Sequence, residues 1–73
     1  MKRAEMIERL AAHLAAEMAH PDFDADLYVG AATDWAAHEL SGWRRLSDDD
    51  KIDVFTTAEE VALETLEERR IPT

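Results

Sequence analysis

The sequence predicts an all-α fold, a small bundle of three helices, and three observations lead to this prediction. A chain of 73 residues has room for one domain and one core, so residues 1–73 are expected to form a single helical domain. Apolar residues recur at helical spacing in three segments. Pro21 and the Ser41-Gly42 pair separate these segments. The predicted helices cover about residues 2–20, 24–41 and 47–70.

The first helix is predicted from the apolar residues and alanines that follow Lys2. Alanine has the highest intrinsic helix propensity. Pro21 disfavours helical backbone at His20, so the helix is expected to end there. The apolar residues repeat every three or four positions, as one face of a helix requires. They are Ile7, Leu10, Ala11, Leu14 and Met18.

The second helix is predicted to start near Asp22 or Asp24, whose carboxylates suit the free N–H groups of a first turn. Gly42 suits a left-handed conformation after the helix end. The apolar side chains cover more than half of the helix circumference, which predicts that this helix is the central one. They are Leu27, Tyr28, Val29, Ala31, Ala32, Trp35, Ala36 and Leu40.

The third helix is predicted to start at Ser47, because Ser47 and Asp50 have the spacing of a capping box. Arg69 and Arg70 suit the negative end of the helix dipole, and Pro72 prevents continuation. Three short helices cannot hide so much apolar surface, so a homodimer is expected. The apolar residues of this helix are Ile52, Val54, Phe55, Ala58, Val61, Ala62, Leu63 and Leu66.

Negative charge dominates the composition and is concentrated in the second half of the chain. The chain has 17 acidic and 8 basic residues, a net charge of −9 and a pI near 4.5. Residues 22–41 carry five acids and no Lys or Arg, and residues 47–73 carry nine acids and three bases. Direct binding to nucleic acid or to an anionic membrane needs a basic patch, so neither is expected. A larger basic protein is the complementary partner.

The N-terminal segment does not resemble a membrane span or a signal peptide. Glu5, Glu8, His13 and Glu17 interrupt it, and no apolar run approaches the roughly 20 residues that cross a bilayer. A cytoplasmic protein is therefore expected. The chain has no cysteine, which excludes disulfides and thiolate metal sites.

Five acids of the third helix fall on one face at about 100° per residue, and we call this face the acidic stripe. They are Asp49, Asp53, Glu60, Glu64 and Glu67. Carboxylates held along a helix can imitate a row of phosphates or meet an Arg/Lys cleft of a partner. The alternative is a solvated helix face that only keeps the protein soluble.

The connector Trp43-Arg44-Arg45 holds a positive patch within the acidic half of the chain. Tryptophan and arginine are enriched at interface hot spots, so Trp43 and Arg44 are predicted to join the acidic stripe in partner binding. The alternative is that Trp43 folds back as a lid on the core while the arginines pair with Asp48–Asp50.

His13, Glu17 and His20 lie on one side of the first helix, where such ligands can contribute to a zinc site. They lack the two-histidine spacing of helical zinc motifs, so a surface pair of His13 and Glu17 is the favoured interpretation. No metal or cofactor is expected.

No catalytic motif occurs in the chain. It contains no cysteine nucleophile, no glycine-rich phosphate loop and no Ser-His-Asp arrangement at a plausible turn, so an enzyme is not expected. Three aromatic residues that resemble a ligand cage have the spacing of core residues instead. They are Phe23, Tyr28 and Trp35.

These patterns predict a small acidic, non-enzymatic module that binds a larger basic protein and modulates or inhibits it. A nucleic-acid-binding protein is a candidate for this partner. The alternative is a structural or assembly subunit that acts through helical self-association.

Overall fold

A computed structural model describes residues 1–69 as an all-helical bundle without strands in that range. Its helices are α1 (Arg3–Met18), α2 (Tyr28–Glu39) and α3 (Asp48–Arg69), and a one-turn 3-10 helix (Trp43–Arg45) lies between α2 and α3. The predicted all-α class and the three helices are confirmed. Arg70 and Pro72, to which the end of the third helix was assigned, lie outside the described residues. No helix in the described part of the chain has both the length and the apolarity to cross a bilayer.

The first helix, α1, is the central element, and the prediction of a central second helix is wrong. α1 packs extensively along α3 and over a smaller area against α2. Five residues of α1 are buried, whereas α2 buries only Ala32 and Ala36. The broad apolar arc of α2 is real, but Leu27 and Val29 on that arc face solvent instead of a neighbouring helix.

The direction of each helix follows from residue pairs at its two ends. Arg3 at the start of α1 forms an ion pair with Asp53 near the start of α3. Farther along, Ala16 of α1 and Arg69 of α3 border the same depression, so α1 and α3 run parallel. Trp35 of α2 stacks on His13 of α1. Glu17 and Ala31 border one depression and Arg9 and Glu39 border another, so α2 runs antiparallel to α1.

The core is thin, because six of the twelve residues buried within residues 1–69 are alanines. Alanine side chains let α1 and α3 approach closely but bury little apolar area per residue. The largest fully buried side chains are Leu10, Leu14 and Val54. The remaining core residues are Met6, Ala11, Ala15, Ala32, Ala36, Leu40, Trp43, Ala58 and Ala62.

The start of α3 confirms the predicted cap. The backbone N–H of Asp50 donates a hydrogen bond of 3.1 Å to Oγ of Ser47. The N–H of Lys51 donates to the carbonyl of Ser47 at 2.9 Å, as in a first helical turn. The prediction for Gly42 is also confirmed, since its φ is +92°, a left-handed value that glycine adopts without a steric penalty.

The second helix begins later than predicted, at Tyr28 instead of residue 24. Oδ1 of Asp24 accepts a hydrogen bond of 2.8 Å from the N–H of Asp26, which closes a turn ahead of the α-helix. The carbonyl of Asp24 then accepts from the N–H groups of both Leu27 and Tyr28. Asp24 therefore stabilises a turn, because a short Asp side chain bonds nearby backbone readily.

Candidate functional site

The candidate site is an open groove between α2 and α3, with a volume of about 580 Å³. Val29 of α2 and Ile52 of α3 are apolar side chains on its walls, and they are 47% and 64% exposed. Phe55 and Trp43 complete the apolar part of the lining. The polar residues that line the groove are Thr33, Asp48, Lys51, Thr56 and Glu59. Most of the exposed surface in the groove is apolar, and its two acids outnumber its single base.

Trp43 is part of the core beneath this groove, at 2% exposure. The left-handed Gly42 redirects the chain after α2, and the 3-10 helix then places the indole against the core. Met6 packs close to this turn, since a Cβ built on Gly42 would lie 3.2 Å from its Cε. Of the two interpretations of Trp43, the lid on the core is therefore the one that fits its burial.

Glu59 is held in place at the groove by a hydrogen bond across the two helices. The hydroxyl of Tyr28, at the start of α2, donates to Oε2 of Glu59 on α3. This hydrogen bond, followed by burial and the negative charge of Glu59, raises the pKa of Tyr28 to about 12. Tyr28 thus stays a neutral donor at physiological pH and orients the Glu59 carboxylate.

The five predicted acids of the acidic stripe are all exposed and share one face of α3. Between Asp49 and Glu67 the helix rises about 27 Å, at about 1.5 Å per residue. Asp53 forms an ion pair with Arg3, and it is the one stripe acid with such a partner among residues 1–69. The stripe is adjacent to the row of Ile52 and Thr56, which lines the groove.

Arg44 is exposed but does not join the stripe. It borders a separate depression near the end of α2, together with Met1, His38 and Arg45. Within residues 1–69 the ion pair between a basic side chain and a carboxylate joins Arg3 to Asp53, while ring nitrogens of His13 and His38 lie 3.9 and 4.0 Å from carboxylate oxygens of Glu17 and Asp34. Neither Arg44 nor Arg45 therefore pairs with Asp48–Asp50, and that part of the lid alternative is wrong.

The histidine cluster of α1 forms a surface pair and a stacked contact. His13 Nε2 lies 3.9 Å from Oε1 of Glu17, which confirms the favoured interpretation. The His13 ring also stacks on Trp35, with centroids 4.1 Å apart and an angle of 10° between the planes. His20 instead accepts a hydrogen bond from the N–H of Asp22 through Nδ1. In residues 1–69 no group of three His, Asp or Glu side chains is arranged to hold a metal ion.

The three aromatic residues lie at the edge of the core, not inside it. Tyr28 and Trp35 are half-buried and pack against it. Phe23 is half-buried against Tyr28, with ring centroids 5.2 Å apart. They form no cage, so the prediction that they have a packing role holds in part.

Sequence reasoning missed the groove. Val29, Ile52 and Phe55 belong to the predicted apolar arcs, but the sequence contains no signal for which part of an arc meets a neighbouring helix.

Comparison with known proteins adds no relative, since no family model, curated protein or solved structure matches the chain.

Proposed function

We propose that the chain is an acidic, non-enzymatic protein-binding module that docks to a larger basic protein and modulates or inhibits it. The observation that supports this most is the acidic stripe, five exposed carboxylates in one row on a helix whose other side is packed on α1. A nucleic-acid-binding protein is a suitable partner class, because its basic cleft is built to receive a row of negative charges.

The stripe acts mainly on association rate and orientation. Exposed carboxylates steer a basic partner toward one face of α3, and the attraction weakens within a Debye length of about 8 Å at physiological salt. The complex is therefore expected to form rapidly at low salt and to be released at high salt. A single exposed ion pair contributes only about 0–1 kcal/mol, so the whole row is needed.

Affinity capture from a lysate of the source organism tests this proposal. The tagged protein is washed at low and at high salt, and retained proteins are identified by mass spectrometry. The partner is then purified and its binding measured directly. We expect a basic protein that is held at low salt and released at high salt.

A charge-reversal variant of the stripe and a matched control locate the surface. The stripe variant changes four exposed acids to Lys: Asp53, Glu60, Glu64 and Glu67. The control changes four exposed acids elsewhere to Lys: Glu5, Glu8, Glu17 and Glu39. Both variants alter the net charge equally, and circular dichroism verifies that both stay helical. We expect only the stripe variant to lose the partner, and equal binding by both variants would refute the proposal.

Self-association is the second candidate function, and a specific observation favours it. Leu27, Val29, Ile52 and Leu63 are large apolar side chains left exposed on α2, its preceding turn and α3. Such residues are typical of an interface between subunits. The homodimer and the cytoplasmic location both stay predictions. Light scattering over a range of protein concentrations measures the mass, and a monomer at high concentration would eliminate this candidate.

A further inference from the structure

We infer that the groove between α2 and α3 binds a basic amphipathic helix of the partner protein. Apolar side chains of that helix enter the groove, and its Lys or Arg side chains meet Glu59 and the acidic stripe. This inference rests on the proposed function and specifies the chemistry of the partner segment.

The dimensions of the groove match one side of a docked helix. Its lining on α3 runs from Asp48 to Glu59, which is about 16 Å at about 1.5 Å per residue. Helix-in-groove recognition uses apolar anchors at positions i, i+3 or i+4, and i+7, which extend over about 10 Å. The groove thus has room for two turns of a helix.

The walls of the groove are apolar and open, which favours a helix over a small molecule. Binding sites for small molecules typically bury roughly 70–90% of the ligand surface. Here Val29 and Ile52 stand exposed on opposite walls, so an occupant that lies along the groove covers both at once. Covering such side chains with apolar anchors removes them from water, and this is the main source of affinity in grooves of this kind.

Charge decides between a basic helix and a second copy of this chain. Asp48 and Glu59 line the groove together with a single base, Lys51, and the five exposed acids of the acidic stripe lie beside it on α3. The segment through Pro21, which includes α1, carries three acids and three bases and is neutral. A second copy that docked through its own α2 and α3 would bring another acidic surface against this one, and like charges facing each other oppose association. A cationic segment is the complementary occupant.

Glu59 is the acid best placed to select a cationic side chain. It lines the groove next to Phe55 and Ile52, and Tyr28 fixes one of its oxygens. A Lys or Arg of the docked helix can pair with this carboxylate at the edge of the apolar contact, where water screens less than at an open surface. Asp48 adds a second acid at one end of the lining, while Lys51 is its one base.

A synthetic peptide tests the inference with the full-length protein. The probe is a fluorescein-labelled peptide of Leu and Lys, with Leu at helical i, i+3, i+4 and i+7 spacing. A scrambled peptide of the same composition and a Leu/Glu peptide are the controls. Fluorescence anisotropy measures binding at physiological salt. We expect the Leu/Lys helix to bind, the scrambled peptide to bind at least about ten-fold more weakly, and the Leu/Glu peptide not to bind.

Two matched double variants locate the site. The groove variant is Val29→Ser with Ile52→Ser, and the control is Leu27→Ser with Leu63→Ser, which are exposed apolar residues outside the groove lining. All four side chains are exposed, so both variants are expected to fold. The groove variant should weaken peptide binding by at least about ten-fold, with the control unchanged. Glu59→Gln should weaken binding several-fold and lower its salt dependence.

The outcomes separate this inference from the proposed function. Equal binding of the ordered and scrambled peptides, or equal binding by the groove and control variants, would overturn the inference. The inference is also overturned if the purified partner binds the groove variant normally but does not bind the stripe variant. The proposed function would then still stand. A dimer whose mass falls to that of a monomer in the groove variant would show that a second copy occupies the groove, which also overturns the inference.

Discussion

Leu14→Ala should remove a large part of the stability of this protein. Leu14 is 0% exposed in the α1 face of the core. Its truncation loses transfer free energy of about 0.8 kcal/mol per buried methylene group and leaves a cavity, for a total of about 2–5 kcal/mol. A chain of 73 residues is expected to have a free energy of unfolding of about 4–11 kcal/mol, at roughly 0.05–0.15 kcal/mol per residue.

Leu63→Ala is the matched control, because it makes the same chemical change at a side chain that is 52% exposed. It should alter the free energy of unfolding by no more than about 0.5 kcal/mol. Urea unfolding followed by circular dichroism at low protein concentration measures both values. A loss below about 0.5 kcal/mol for Leu14→Ala would refute the reasoning about the core. A loss for Leu63→Ala that grows with protein concentration would indicate that a second subunit buries Leu63.

Two other predictions follow from the groove and from the glycines. Absorbance titration of Tyr28, the one tyrosine of the chain, should give a pKa of about 12, and Glu59→Gln should move it back toward 10.0. Since folding raises this pKa, the Tyr28–Glu59 hydrogen bond contributes fully to stability below pH 10.0, and its contribution is lost as the pH rises through about 12. A wild-type pKa near 10.0 would contradict the hydrogen bond. Gly42→Ala should destabilise the protein by about 1–2 kcal/mol, because its φ is positive and the new Cβ meets Met6. Gly30→Ala, with nothing within 4 Å of the new Cβ, should stabilise the protein by about 0.5–1 kcal/mol. Urea unfolding measures both glycine variants, and equal changes in the free energy of unfolding would refute the expected difference between them.

Local signals in the sequence predicted a helix end well where it depends on a capping residue and the backbone groups of the same turn. Ser47 and Gly42 have the predicted roles, because a cap or a left-handed glycine depends on a few neighbouring backbone groups. The predicted start of α2 was wrong because Asp24 can form either a helix cap or a turn, and the two have similar hydrogen bonds. The first helix ends at Met18, two residues before the predicted end, since His20 already bonds the carbonyl of Glu17 in a tighter turn.

The acidic stripe was predictable because it depends only on the period of one helix. Residues spaced by three, four and seven positions share a face whatever the helix packs against. Their exposure followed from the apolar residues on the other sides of α3. The place of Arg44 was not predictable, because a short connector can direct its side chains to either end of the bundle.

The sequence by itself determined the helical class, the breaks between helices and the position of the negative charge, since propensity, capping and periodicity act over a few residues. The tertiary structure alone decided that α1 is central, that Trp43 is buried and that Val29 and Ile52 form an open groove. The physical reason is that an apolar arc wider than one neighbour can cover has several faces that could be buried. Packing geometry selects among them, and here α2 buries Ala32 and Ala36 while Val29 stays on the surface, and α3 buries Ala58 and Ala62 while Ile52 and Leu63 stay on the surface.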